Sequence, residues 1–161
     1  MIVVSDTSPI TNLALGGHLD ILQQLYGSIV IPQAVAQEIA AVASRLAGTP
    51  DILTLDWVHT RQTTDQVLVT SLELELDRGE AEAIALVVEL KADLPMLDER
   101  RGRAVALRLG LKFVGLLGTL IEAKQNGLVP AVKPILDDLL AKAGFWISPE
   151  LYDRVVQAAG E

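Results

Sequence analysis

Cysteine is absent from the 161 residues, which excludes disulfides and thiolate chemistry, and the two histidines, His18 and His59, are too few for a histidine-built zinc site. Any metal must be held by oxygen. No apolar run reaches the roughly 18 residues a membrane span needs, and the N-terminus lacks the basic start of a secretory signal. The expectation is a soluble cytoplasmic protein with no membrane partner. Positive charge is short as well: 13 Lys and Arg stand against 21 Asp and Glu, a formal charge of −8. That balance argues against a broad nucleic-acid-coating surface, yet leaves room for a local basic strip beside an acidic pocket. Aromatic residues number six, and three of them, Phe145, Trp146 and Tyr152, gather near Leu151 in the tail. This junction is expected to dock on something apolar, the body of the fold or a partner.

Half of the chain is hydrophobic, enough for a sizeable core in one domain spanning 1–161, with 131–161 as a helical C-terminal extension. The β-branched run Ile2–Val4 predicts a short buried strand. Helices are expected at Pro9–Leu15 and His18–Leu25, a strand at Ser28–Ile31, and a helix from Pro32 to about Arg45. Trp57–Thr60 and Val67–Leu74 have strand-like composition, the latter also reading as extended loop. Then follow helix Gly79–Lys91, strand Leu94–Leu97, helix Glu99–Leu109, strand Lys112–Val114 and helix Leu116–Gln125, with tail helices at Ala131–Ala143 and Pro149–Ala159. Strands alternating with helices argue for an α/β fold whose parallel sheet is covered on both faces.

In such sheets, sites gather beyond the carboxyl ends of the strands. Asp6 follows the first strand in MIVVSDTSPITNLAL, and Asp98 follows the strand of LPMLDERRGRAVA. Taken singly, each also reads as a turn or cap residue. In LDRGEAEAIALVVEL, steps of 100° align Glu80 with Ile84 and Val87 and put Glu82 with Glu89 on the opposite side, so Glu82 is expected in solvent. Asp77-Arg-Gly-Glu80 equally has the spacing of a capping box. Glu38 flanks the stripe Val35, Ile39, Val42, where a glutamate also reads as a snorkelling surface residue. Four carboxylates converging at one sheet edge would repel one another unless protonated or bridged by a divalent cation, and oxygen-only ligands favour Mg²⁺ or Mn²⁺.

The segments SDTSPITNLA, IPQAVAQEI, GEAEAIAL and LDERRGRAVA, in this order and spacing, together with GLLGTLIEAKQNGL and GFWISPELY, resemble PIN-domain proteins of the VapC-like group over nearly the whole chain. The resemblance implies a Rossmann-like three-layer α/β/α sandwich and a metal-dependent ribonuclease, many members being toxins held by an antitoxin. Residue by residue it places the family's acids on Asp6, Glu38, Glu80 and Asp98, of which Asp6, Glu80 and Asp98 would hold Mg²⁺ or Mn²⁺. Position 80 is glutamate where many members carry aspartate. Arg100, Arg101 and Arg103 follow Asp98 and are the expected phosphate contacts, with Ser8 and the helix start behind it able to hold a phosphate oxygen; a solvated helix face is the alternative for the arginines. Expected partners are an RNA substrate, a cognate antitoxin and a second copy of the chain. Two other classes compete: a catalytically silent PIN-like binding module for nucleic acid or protein, and an aspartyl-phosphate hydrolase. The latter usually places a second acid two residues after its nucleophile, where this chain has Ser8.

Overall fold

A computed structural model describes residues 1–161. Four short strands, β1 (Val3–Ser5), β2 (Ile29–Pro32), β3 (Val58–Arg61) and β4 (Leu94–Met96), form one sheet in the order β3-β2-β1-β4. All pairings are parallel, with Val4 opposite Val30 on one side and Ser5 opposite Met96 on the other. The helices are α1 (Thr7–Gly16), α2 (Asp20–Tyr26), α3 (Gln33–Ala41), α4 (Gln66–Leu72), α5 (Arg78–Leu90), α6 (Arg100–Arg108), α7 (Leu116–Gln125), α8 (Lys133–Lys142) and α9 (Pro149–Ala158). None is long and apolar enough to cross a membrane.

Side chains alternate across a strand, so β1 feeds two layers at once. Val3, Ile29, Ile31 and Met96 face a core filled by Ile10 and Leu13 of α1, Leu22 of α2, Leu120 of α7 and Leu136 of α8. Val4 faces Ala83, Leu86 and Val87 of α5, with Val30 beside them. Beyond it, α5 packs through Ile84 on α4 and α6, together with Val69, Leu72, Leu97 and Val105. This is the expected three-layer α/β/α sandwich. Helix α8 lies close on α1, because a Cβ at Gly16 would come within 2.7 Å of Leu139 Cδ2.

The chain walks outward from β1 through β2 to β3, then returns to the other side of β1 to lay down β4. The winding direction reverses between β1 and β4, and open α/β sheets hold their ligands at the carboxyl ends of the strands beside such a reversal.

Several expectations change. Residues Val67–Leu74 are mainly helix α4, and not strand: Val69, Leu72 and Leu76 bury at helical spacing while Val67 and Leu74 point to water. Asp65 caps this helix by accepting from Leu68 N at 3.0 Å, and Glu89 of α5 accepts from Thr64 N and Asp65 N just before it. The stretch Lys112–Val114 makes a single parallel bridge, Val114 to Met96. Helix α3 stops at Ala41, and the chain to Gly48 continues as tight turns. In the tail, Phe145, Leu151 and Tyr152 pack half-buried on the core, but Trp146 is 78% exposed and does not dock on it.

Candidate active site

Asp6 is the first residue beyond β1, and its backbone N–H still pairs with Met96 O of β4 at 3.1 Å. It occupies the N-cap position of α1, yet its side chain makes no capping hydrogen bond, so capping does not account for this buried acid. Burial pushes the Asp6 carboxyl up to about 7; the Thr7 N–H opposes the rise, and the charges of Asp77, Glu38 and Glu99 add to it.

Glu80 lies in the first turn of α5 and is 3% exposed. The capping-box reading is half right: Asp77 Oδ1 accepts from Glu80 N at 2.8 Å, but Glu80 Oε2 is buried with no hydrogen-bond partner. Gly102 makes room for that oxygen, since a Cβ there would lie 3.1 Å from it. Burial, then contact with the Asp77 carboxyl and the charges of Asp77, Asp6 and Glu99, push Glu80 up to about 8. A carboxylate so placed is held protonated near neutral pH unless something cationic approaches it.

Glu38 accepts a hydrogen bond from Thr7 Oγ1. Its other oxygen lies against Gly79, where a Cβ would approach Oε1 to 2.8 Å. Asp98 follows β4 by two residues, and its Oδ1 accepts from Leu116 N at 2.8 Å, capping α7 from a neighbouring segment. Its Oδ2 is buried without a partner, and burial raises its pKa against the opposing Leu116 N–H and Arg103 charge.

The fold therefore gathers Asp6 and Glu38 around a cavity of about 180 Å³, with Asp77, Glu99, Thr7, Ser8 and Arg45 also on its wall. Glu80 and Asp98 are not among its lining residues. The charges acting on Glu80 are those of Asp77, Asp6 and Glu99, whereas Asp98 feels Arg103 and Glu99. No three acidic or histidine side chains stand as a ready-made metal-ligand group. Ser8 Oγ is buried and unpartnered beside the cavity. A second cavity of about 360 Å³ lies between the end of α3 and residues 49–53, lined mainly by apolar residues with Asp51 its one charge, and brings no acid–base pair together.

A family model described as a PIN domain matches residues 2–161, from the strand that carries Asp6 through the last helix. The chain belongs to the PIN-domain family. No curated protein and no solved structure matches it. The parallel sheet agrees with the nuclease-type fold of PIN domains.

One expectation about this PIN domain is corrected. Glu82 is not in solvent: it is 5% exposed, because it meets the start of α3, where its Oε1 accepts from Ala34 N. The 100° projection assumed a helix with one wet face, but every residue from Gly79 to Val87 is buried. Arg103 is engaged within the fold: Nε donates to Leu97 O at 2.8 Å, the guanidinium stacks 5.2 Å from the Phe113 ring centroid, and Nη2 lies 3.5 Å from Asp98. Arg100 and Arg101 are exposed. Arg103→Ala should lower stability by about 1–2 kcal/mol, while Arg100→Ala and Arg101→Ala stay within about 0.5 kcal/mol. Urea unfolding of the three variants checks that ranking.

The residues missed were Asp77, Glu99 and Arg45. Asp77 was read only as a cap, and it does cap. Arg45 had a usable signal, since Glu38, Val42 and Arg45 follow at i, i+4 and i+7, and all three line the cavity.

Proposed function

We propose that this PIN domain is a metal-dependent endoribonuclease and, as the family resemblance implies, a toxin held in check by a cognate antitoxin. The observation that carries the reading is geometric: Asp6 is buried beyond β1 with no capping hydrogen bond, and Glu80 and Asp98 each bury a carboxyl oxygen that has no partner, with burial raising the pKa of all three. An all-oxygen donor set with unpartnered oxygens on Glu80 and Asp98 fits a hard divalent cation, Mg²⁺ or Mn²⁺. Asp6, Glu80 and Asp98 would hold it. Such an ion, when bound, supplies phosphate charge neutralisation and a water acidic enough to ionise near neutral pH.

The chain's own residues do the rest. Glu38, fixed by the Thr7 hydroxyl, offers its other oxygen to orient the attacking water and take its proton. Arg45 lines the acidic cavity and forms no salt bridge, so its guanidinium is free to meet a substrate phosphate, with exposed Arg100 and Arg101 extending the contact. Ser8 Oγ can donate to a phosphate oxygen at the start of α1. An antitoxin would act most directly by placing a cationic side chain among the same acids. A second copy of the chain could cover exposed Trp146.

The absence of a ready-made ligand group favours a second reading, a silent PIN-like binding module. Metal add-back separates the two. After EDTA treatment the chain should leave single-stranded RNA intact, and Mn²⁺ or Mg²⁺ should restore cleavage. Binding of RNA with no cleavage under any divalent ion would establish the silent module.

A further inference from the structure

The helices that carry Glu38 and Glu80 are joined by a side chain that belongs to neither the cavity nor the unpartnered acids. Helix α3 begins after Pro32, which has no side-chain group to cap it, so the N–H groups of its first turn need partners from elsewhere. Glu82 of α5 supplies one: its Oε1 accepts from Ala34 N at 3.1 Å, across 48 residues of sequence. Its Oε2 accepts from Arg78 Nε at 2.9 Å, so both oxygens are in use. A negative charge at this end of α3 also meets the positive end of the helix dipole. The next turns make the contact closer. Glu38, one turn beyond Ala34, rests against Gly79, where even a Cβ would come within 2.8 Å. Sliding α5 along α3 would drive Glu38 into the Gly79 backbone and carry Glu80 with it.

We propose that Glu82 is a positioning residue of the carboxylate site, holding α3 to α5 through Ala34 N so that Glu38 and Glu80 keep their relative placement. The inference rests on the nuclease reading above. What matters in it is the reach of an acceptor to the Ala34 amide more than the charge.

Two substitutions separate reach from charge. Glu82→Gln keeps an acceptor of the same length and discards the charge; Arg78, with its side chain 63% exposed, can turn to water. Glu82→Asp keeps the charge and is one methylene too short. Titration calorimetry with Mn²⁺ alone should find Glu82→Gln within about twofold of the wild-type Kd and Glu82→Asp weaker by about tenfold, the scale of lost supporting contacts around a metal. Amide exchange at Ala34 should be faster in Glu82→Asp and unchanged in Glu82→Gln. Equal Mn²⁺ affinity in wild type and folded Glu82→Asp overturns the proposal, as does a greater loss in Glu82→Gln. If Glu82→Asp does not fold, Glu82→Gln decides alone: a tenfold loss of affinity in that folded variant overturns the proposal, and retention supports it. A wild-type chain that binds no Mn²⁺ at all removes the metal-dependent nuclease reading, and this inference with it.

Discussion

Asp6→Asn should lower RNA cleavage at least a hundredfold and Mn²⁺ affinity at least tenfold, on the order expected for losing a charged ligand at such a site, while the chain stays folded. In EDTA at pH 8 the same substitution should raise the thermal midpoint. At that pH the wild-type carboxyl, with its pKa near 7, is mostly ionised in a buried place shared with the charges of Asp77, Glu38 and Glu99. Asparagine is nearly the same shape and carries no charge, so about 1–2 kcal/mol of repulsion and desolvation disappears, or roughly 3–6 °C for a domain of this size. The two halves together are diagnostic, because a simple packing defect lowers both activity and midpoint. Wild-type cleavage by the variant in Mn²⁺ would remove Asp6 from the site. A fall in midpoint would show that the carboxylate is a stabilising cap after all.

The second large effect concerns pH. Asp6 moves from an ordinary 3.8 to about 7 and Glu80 from 4.5 to about 8, with Asp98 shifted in the same direction. Between the unfolded and folded values the native chain binds more protons than the unfolded one. Stability without metal must then fall as pH rises. The contribution is intact below about pH 4 and is lost as pH climbs through 7 and 8. Each pKa unit corresponds to about 1.4 kcal/mol. Allowing for relaxation and water entry, we expect a loss of about 2–4 kcal/mol between pH 6 and pH 9, or roughly 5–15 °C in midpoint. Exposed acids whose pKa values are lowered, Asp137 through Tyr152 and Lys133 and Asp138 through His18 and Lys142, act below their ordinary value of 3.8 and leave this window alone. Mn²⁺ at pH 8.5 should restore most of the lost midpoint, since an ion that binds only the folded acids stabilises them by mass action. A midpoint in EDTA that rises from pH 6 to pH 9 would contradict the crowding of these carboxyls.

Much of the placement of the candidate acids is legible in the sequence because Asp6 and Asp98 stand where strands end. Asp6 and Asp98 were found from β-branched or apolar runs stopping on an acid, and Glu80 from the face it shares with Ile84 and Val87; those signals are local. Glu82 was misread because its environment is not local. Its backbone partner is the Ala34 N–H, 48 positions away, and no periodicity within α5 reveals that α3 will begin against it. The internal contacts of Arg103 are not legible in the sequence either, since Leu97 O and the Phe113 ring become its neighbours only when α6 folds back on the end of β4. Helix α4 was missed because Val67, Leu68 and Val69 imitate a strand, whereas the capping by Asp65 and the burial of Val69, Leu72 and Leu76 favour the helix. The family resemblance implies the role proposed for Glu38 but is silent on Asp77 and Arg45, which the fold sets with it on the wall of one cavity.

The position of β1 between β2 and β4 bears on the order in which the candidate site is assembled during synthesis. Its edge toward β2 can be satisfied early, by residues about one helix-turn-helix further along. Its other edge waits for a segment 91 residues downstream, where Ile2 N meets Asp93 and Val3 pairs with Leu94. Contacts of such sequence separation form late, after the intervening loop has been closed. A chain still emerging from the ribosome thus carries Asp6, Glu38 and Glu80 without the strand that delivers Asp98, and even Asp98 takes its final place only when α7 arrives to be capped. On the nuclease reading proposed above, a chain wound in this order has no complete carboxylate site until α7 has been made.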